Sequence, residues 1–258
     1  MVTETADLIE QSLAVFEKEV SRIESKSDLL AAQEKCPELL DDAFKLLFLR
    51  TDLFDPELAA LRYVLHWKNR VELFGSHKAF LPMTLTGAMQ DDVQTLAQGY
   101  FRLVPGQERV ILVDPSRKPS KYDADSIARC VWYMQYKALA QSEDMQKQGA
   151  IFVFDLGNTK GELSLDLTKR IRKALEDAFP LRFAKVCIIN PPTVVYALYH
   201  VFKFFLKPKL RNRMQVVSSA STLANCGVDI NGLSLVDHEE WVHNTMMLED
   251  TSRQGSVQ

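Results

Sequence analysis

The stretch Phe179-Pro180-Leu-Arg182-Phe-Ala-Lys-Val-Cys-Ile-Ile-Asn190-Pro191-Pro192 decides how this chain folds. A helix is expected to stop at the first proline, and an apolar run follows a short basic turn. Asn190-Pro191 then forces the chain out of extended structure, because proline restricts the residue before it and cannot donate to a ladder. The pattern predicts a buried strand at Val186–Ile189.

The segment after this strand is unusually apolar. Thr193–Leu206 contains a single charge, Lys203, and a basic run from Lys207 to Arg213 follows at once. A helix that is apolar on nearly every side is normally central core. Two interpretations remain open: a buried helix with a solvated basic end, or a helix that covers an apolar cavity and lays its outer face on lipid.

The rest of the chain divides into two regions with different sequence patterns. Apolar residues recur at helical spacing over residues 5–23, 28–35, 37–48 and 57–74, and Gly75 ends the last of these helices. Short strand-like runs then alternate with helical patterns: strands at 100–104, 110–113, 151–154 and 186–189, and helices at 86–97, 124–141 and 165–179. We therefore predict an α/β fold, with an all-helical N-terminal lobe followed by a mainly parallel sheet flanked by helices. The predicted divisions are a helical lobe at 1–75, a second lobe at 76–245 and a flexible tail at 246–258.

Composition and charge exclude several classes of protein. The net charge of −3 provides no global basic surface for nucleic acid. The acidic start has no apolar segment typical of a secretory signal, and no window is long and apolar enough to span a membrane. The four cysteines are far apart and contain no CxxC pair, so we expect buried, reduced thiols. These features predict a cytoplasmic protein that meets membranes only peripherally and transiently.

Several motifs, in order, carry a family resemblance. Phe179–Val217 resembles the signature of the CRAL-TRIO (Sec14-like) family: "(F/Y)P", a basic residue, an apolar strand ending "IN-x-P", a long apolar helix and a basic helix start. Leu46–Asp55 resembles the family's "FLRARKFD", Leu65–Lys68 its "L-x-W-R", and Gly149–Gly157 its "G-x-x-x-x-x-D-x-x-G". The match runs over about residues 40–228 and is most similar to the tocopherol- and retinal-binding branch.

This resemblance implies an apolar ligand cavity with a helical gate. The gate would be Thr193–Leu206, and its apolar residues are Val194, Val195, Leu198, Val201, Phe202 and Phe205. The family's phosphoinositide-binding positions fall on Arg182, Lys209 and Arg213, with Arg50 from the helical lobe as a fourth. Positions that would hold inositol in the yeast-type carriers fall on Leu181 and Leu210, which argues against phosphatidylinositol as the cavity ligand.

Strand parity and the resemblance together predict which residues line the cavity. Alternate residues of a strand share a face, so Ala150, Phe152 and Phe154 point together. The predicted cavity residues are Trp132, Tyr133, Tyr136, Ala150, Phe152, Phe154, Ile171, Leu175, Phe179 and Val186. The bulk of the three aromatic residues on the helix at 124–141 favours a ring-bearing ligand with a polar end, such as a terpenoid, retinoid or tocopherol-like molecule. Ordinary core packing is the alternative for each residue.

These features predict a lipid carrier that exchanges its ligand at phosphoinositide-containing membranes, and neither an enzyme nor a metal or cofactor protein. The alternative is a lipid-sensing adaptor that recruits a partner protein without net lipid transfer. Asp155-Leu-Gly-Asn-Thr159 also resembles the phosphate loop of actin-like kinases, but no second such loop follows, and a turn that ends a strand explains it more simply. His238 and His243 are five residues apart, whereas a zinc-binding HExxH helix needs a spacing of four.

Overall fold

The structure is a computed structural model that describes residues 2–118, 122–157, 164–193, 211–217, 223, 228 and 238–255. Lys209 and the predicted gate helix after Thr193 lie outside these ranges. Within them, no helix is both long enough and apolar enough to cross a bilayer.

Four helices form the N-terminal lobe: α1 (Ala6–Arg22), α2 (Ser27–Lys35), α3 (Asp42–Thr51) and α4 (Pro56–Lys78). The predicted single helix from Pro37 is wrong, because a short 3-10 turn at Pro37–Leu39 precedes α3. The side chain of Asp41 accepts a hydrogen bond from the amide of Phe44 at 2.7 Å and starts a new helix there. Gly75 has a positive φ of 79°, so α4 is kinked where the sequence predicts its end.

Aromatic packing holds this lobe together. Phe48 lies edge-on to Tyr63 with ring centroids 5.0 Å apart, and Phe16 meets the same tyrosine at 5.4 Å. The two phenylalanines are about 1% exposed or less, and Trp67 is fully buried beside them. This cluster ties α1 and α3 to α4, which therefore acts as the central helix of the lobe.

The second lobe is built on a five-stranded sheet. Its strands, in spatial order, are β1 (Phe101–Val104), β2 (Gln107–Val113), β3 (Ala150–Asp155), β4 (Phe183–Ile189) and β5 (Met214–Val217). β1 pairs antiparallel with β2, and all other pairs are parallel, which confirms the predicted mainly parallel sheet. The further helices within the described residues are α5 (Val93–Ala97), α6 (Ala124–Gln141), α7 (Glu143–Gln148), α8 (Leu165–Leu175) and α9 (His238–Gly255).

The sheet has two apolar faces. One register row crosses four strands at Ile111, Phe152, Val186 and Met214, and it packs in the same cluster as α6 and α8. The residues that alternate with this row along the strands, including Val153 and Cys187, belong to a separate cluster on the opposite face. Helices α6 and α8, which lie between β2 and β3 and between β3 and β4 in the chain, both pack in the first cluster and so lie on one side of the sheet.

Two predicted elements need correction. The helix predicted at 86–97 is only α5, because turns occupy residues 83–92. Residues 246–255 of the tail predicted as flexible belong to α9, which runs to Gly255. A carboxylate oxygen of Glu249 accepts a hydrogen bond from the Leu85 amide at 2.6 Å, and Val242 is buried in the main core. Contacts with distant segments, which local sequence does not show, order this helix.

Candidate functional site

The ten predicted cavity residues all belong to one apolar cluster, on the face of the sheet covered by α6 and α8. Ala150, Phe152 and Phe154 share this cluster, while Ile151 and Val153 lie in the cluster of the opposite face, as strand parity predicts. The tertiary fold thus brings residues from α6, α8, β3, β4 and the turn before β4 to one side of the sheet. Their role as a ligand-binding wall stays a prediction.

Part of this set also joins the two lobes. The ring of Trp132 on α6 lies 5.0 Å from that of Phe179 and 4.8 Å from that of His66 on α4, measured between centroids. His66 is 2% exposed, and it is surrounded further by Phe44 and Phe48 at 5.4 and 5.3 Å. The inner end of the predicted wall therefore packs directly on the core of the helical lobe.

His66 is electrostatically unusual. Neither ring nitrogen has a hydrogen-bond partner, and a contact with the backbone of Ala178 does not reach bonding geometry. Burial, and then the positive charge of Arg70, hold the pKa of His66 well below its usual range. This histidine is neutral and packs as an aromatic ring, not as a base or a metal ligand.

The hydroxyl of Tyr133, one of the two tyrosines in the predicted wall, already forms a hydrogen bond within the protein. It donates to a carboxylate oxygen of Glu249 on α9 at 3.2 Å, and the same oxygen accepts from Nζ of Lys137 at 3.2 Å. Burial, followed by the charge of Glu249, raises the pKa of Tyr133. Sequence reasoning missed this contact, since Glu249 lies 116 residues away from the tyrosine.

A small apolar pocket lies beside this wall and includes none of the predicted residues. Helices α5 and α6 and the start of β1 form it. It is lined by Thr95, Leu96, Tyr100, Phe101, Ile127, Cys130 and Val131. Its walls come from three separate segments, so no single sequence pattern points to it.

Two predicted cations meet at the amino-terminal edge of the parallel strands. Arg182 directly precedes β4, and Arg213 directly precedes β5 and donates from Nη1 to the carbonyl of Phe183 at 2.7 Å. Arg109 of β2, which sequence reasoning missed, donates from Nε to the carbonyl of Gly149 at 3.0 Å. We call Arg109, Arg182 and Arg213 the basic edge.

The charges of the basic edge repel one another. Burial, and then the positive charge of Arg213, lower the pKa of Arg182, and Arg109 acts in the same direction. Nη2 of Arg182 donates to the carbonyl of Lys147, while the buried Nε of Arg182 has no hydrogen-bond partner. Asp52 of the helical lobe is near enough to oppose the shift. A bound anion would relieve this repulsion, which is the electrostatic condition for a phosphate site.

Arg50 is paired within the protein, and its phosphoinositide role stays a prediction. Its side chain is 9% exposed, and Nη2 lies 2.7 Å from a carboxylate oxygen of Glu4 and 2.9 Å from one of Glu143. Nη1 donates to the side chain of Gln146. The guanidinium thus links α3 to the N-terminal segment and to α7. Its donors are satisfied within the protein, so it is an interlobe contact.

The loop that resembles a kinase phosphate loop closes on itself over its described part. One oxygen of Asp155 accepts hydrogen bonds from the Gly157 amide and from Nδ2 of Asn190, both at 3.0 Å. This bonding ends β3 and ties it to the end of β4, as a structural turn does. Across the described ranges, no group of three potential metal-ligating side chains comes together.

The cysteines differ from expectation at one position. Cys36 and Cys130 are buried free thiols, and burial raises the pKa of both. Cys187 of β4 is disulfide-bonded. The prediction of four reduced thiols is therefore wrong at Cys187, since spacing along the chain does not show which sulfurs meet in the fold.

Comparison with known proteins places this architecture. The CRAL/TRIO domain family matches residues 106–226. The human alpha-tocopherol transfer protein-like protein is 29% identical over 186 residues, which covers 67% of this chain and 51% of that protein. Human clavesin-2 is 28% identical over 183 residues, covering 67% and 54%. The matched region thus spans about half the length of these curated relatives.

A solved structure extends the comparison to the fold. The crystal structure of Sfh5 aligns with a TM-score of 0.52 at 14% identity, covering 87% of this chain and 85% of that one. Residues 106–226 thus match the CRAL/TRIO domain family, and the chain has a Sec14-like fold.

Proposed function

We propose that this protein binds a hydrophobic small molecule or lipid against the helix-covered face of its sheet and exchanges it at phosphoinositide-containing membranes. The family match and the name of the tocopherol transfer protein-like relative support the ligand class. The helix-covered cluster provides the apolar surface, whose burial against a ligand contributes about 25 cal/mol per Å². The proposal assigns no catalytic step.

The basic edge is the observation that carries the membrane part of the proposal. Arg182 has a buried, unpartnered Nε and lies beside two further guanidinium groups. Guanidinium groups match phosphate oxygens with two parallel hydrogen bonds, which an ammonium does not. Each cation near an anionic surface contributes about 1 kcal/mol to membrane attraction.

Vesicle binding tests this assignment. We expect Arg182→Ala combined with Arg213→Ala to weaken binding to phosphatidylcholine vesicles containing phosphatidylinositol 4,5-bisphosphate by at least about tenfold. The variant with Lys169→Ala and Arg172→Ala is the matched control, because it removes the same charge from exposed positions on α8. Equal loss in both variants would mean that only net charge matters, and no loss in the first would refute the site.

Ligand and transfer need separate measurements. Denaturing mass spectrometry of the purified protein identifies any bound molecule, and we expect a ring-bearing ligand with a polar end. An intact diacyl phospholipid would contradict this expectation. A donor–acceptor vesicle assay then measures transfer of that molecule. Membrane binding without transfer would favour the adaptor that recruits a partner protein.

A further inference from the structure

Three leucines at the start of α4 and in the turn before it expose about half of their surface. Leu53 is 54% exposed in the turn between α3 and α4, and Leu58 and Leu61 are 53% and 49% exposed on α4. The last two are three residues apart and so lie on the same side of the helix. We call Leu53, Leu58 and Leu61 the leucine tip.

The backbone at Leu53 makes this exposure notable. Leu53 and Phe54 both have a positive φ, 58° and 64°, in a region that favours glycine and that bulky residues rarely adopt. Phe54 packs against the aromatic core of the helical lobe, whereas Leu53 points outward. Neither backbone geometry nor core packing accounts for a leucine at residue 53.

Side-chain hydrogen bonds anchor the turn that carries Leu53. Arg62 of α4 donates from Nε and Nη2 to the two carboxylate oxygens of Asp52, at 2.7 and 2.9 Å. Asp55 accepts from the amide of Leu58 at 3.1 Å and caps α4. Arg62 is four residues from Leu58, so the ion pair draws the turn against the side of α4 that carries the exposed leucines.

The same turn lies next to the basic edge. Arg50, at the end of α3, bonds Gln146 of α7, and Arg182 bonds the carbonyl of Lys147 at the end of that helix. Asp52, the residue before Leu53, is close enough to Arg182 to interact with its charge. Phe183, the residue after Arg182, is 42% exposed and adds an aromatic ring beside the guanidinium groups.

We infer that the leucine tip and Phe183 insert into the interface of an anionic bilayer while the basic edge binds its head groups, an inference that rests on the function proposed above. Apolar side chains beside cations are the combination that favours an anionic membrane interface over water. A partner with an acidic surface alone would use the guanidinium groups but leave the three leucines in water. The bilayer satisfies both.

Variants that leave the fold intact test the inference. Leu53→Gly suits the positive φ, and Leu58→Gln with Leu61→Gln keeps good helix formers in α4. We expect Leu53→Gly to weaken binding to vesicles containing phosphatidylinositol 4,5-bisphosphate by about tenfold. The triple variant, which combines all three substitutions, should weaken it by about a hundredfold. The salt dependence should not change, because no charge is removed. Leu30→Gln on α2 is the control, since Leu30 is also 53% exposed.

The outcomes separate this inference from the proposed function. If the wild-type protein does not bind these vesicles, the proposed function fails, and the inference fails with it. If it binds and the leucine variants bind equally well, only the inference is refuted. Analytical ultracentrifugation tests whether the leucine tip binds a second copy of the chain instead. A dimer that Leu53→Gly dissociates would show that it does and would overturn the membrane role.

Discussion

The buried histidine between the lobes makes stability depend on pH in a way that can be calculated. His66 is 2% exposed within a cage of rings from both lobes, and Arg70 is the charged group that acts on it. Its pKa is lowered in the folded protein, so it stays neutral there. In the unfolded chain the imidazole is hydrated and takes up a proton below about pH 6.5.

This difference in protonation sets the direction in which the free energy of unfolding changes with pH. The unfolded state binds more protons than the folded state as the pH falls through 6.5, so the free energy of unfolding decreases with acidification. Each pH unit below 6.5 lowers the free energy of unfolding by about 1.4 kcal/mol. Between pH 7.5 and pH 5, His66 alone therefore lowers it by about 2 kcal/mol. The stability is fully present above the unfolded pKa.

Urea unfolding of wild type and His66→Leu, measured across this pH range, tests the reasoning. Leucine fills a similar volume, so the variant should fold, and its stability should fall by about 2 kcal/mol less than that of wild type on acidification. His77→Asn is the control, because His77 is on the same helix but exposed. Parallel pH profiles for wild type and His66→Leu would show that another group governs acid sensitivity.

Three further substitutions have defined outcomes. Arg50→Met should lower the free energy of unfolding by about 2 kcal/mol in urea titration, since it leaves the partly buried carboxylate of Glu4 with only Nζ of Lys147, 3.7 Å away; an effect below about 0.5 kcal/mol would mean that the Arg50 contact is loose. Glu249→Ala should cost about 1–2 kcal/mol and speed amide exchange at Leu85, and unchanged exchange would contradict the docking of α9. Leu53→Gly should raise the melting temperature, because glycine relieves about 1 kcal/mol of backbone strain at positive φ; a lower melting temperature would refute that account.

Local patterns determined much of the architecture. The Asp55-Pro56 start of α4 follows from a side chain that caps amides, and the ends of α6 follow from helical periodicity. The two faces of β3 follow from the period of two along a strand. Each signal is carried by residues within a few positions of one another, so it can be found in the chain before the chain is folded.

Tertiary structure decided what long-range contacts control. Arg50 has the sequence context of a membrane cation, but it meets Glu4, which is 46 residues away, and Gln146, which is 96 away. Arg109 joins Arg182 only because parallel strands start at the same edge of the sheet. The sequence by itself thus determined the elements, their apolar faces and the family resemblance. Only packing decided which charges are paired and which leucines stay in water, because those depend on neighbours that no local pattern encodes.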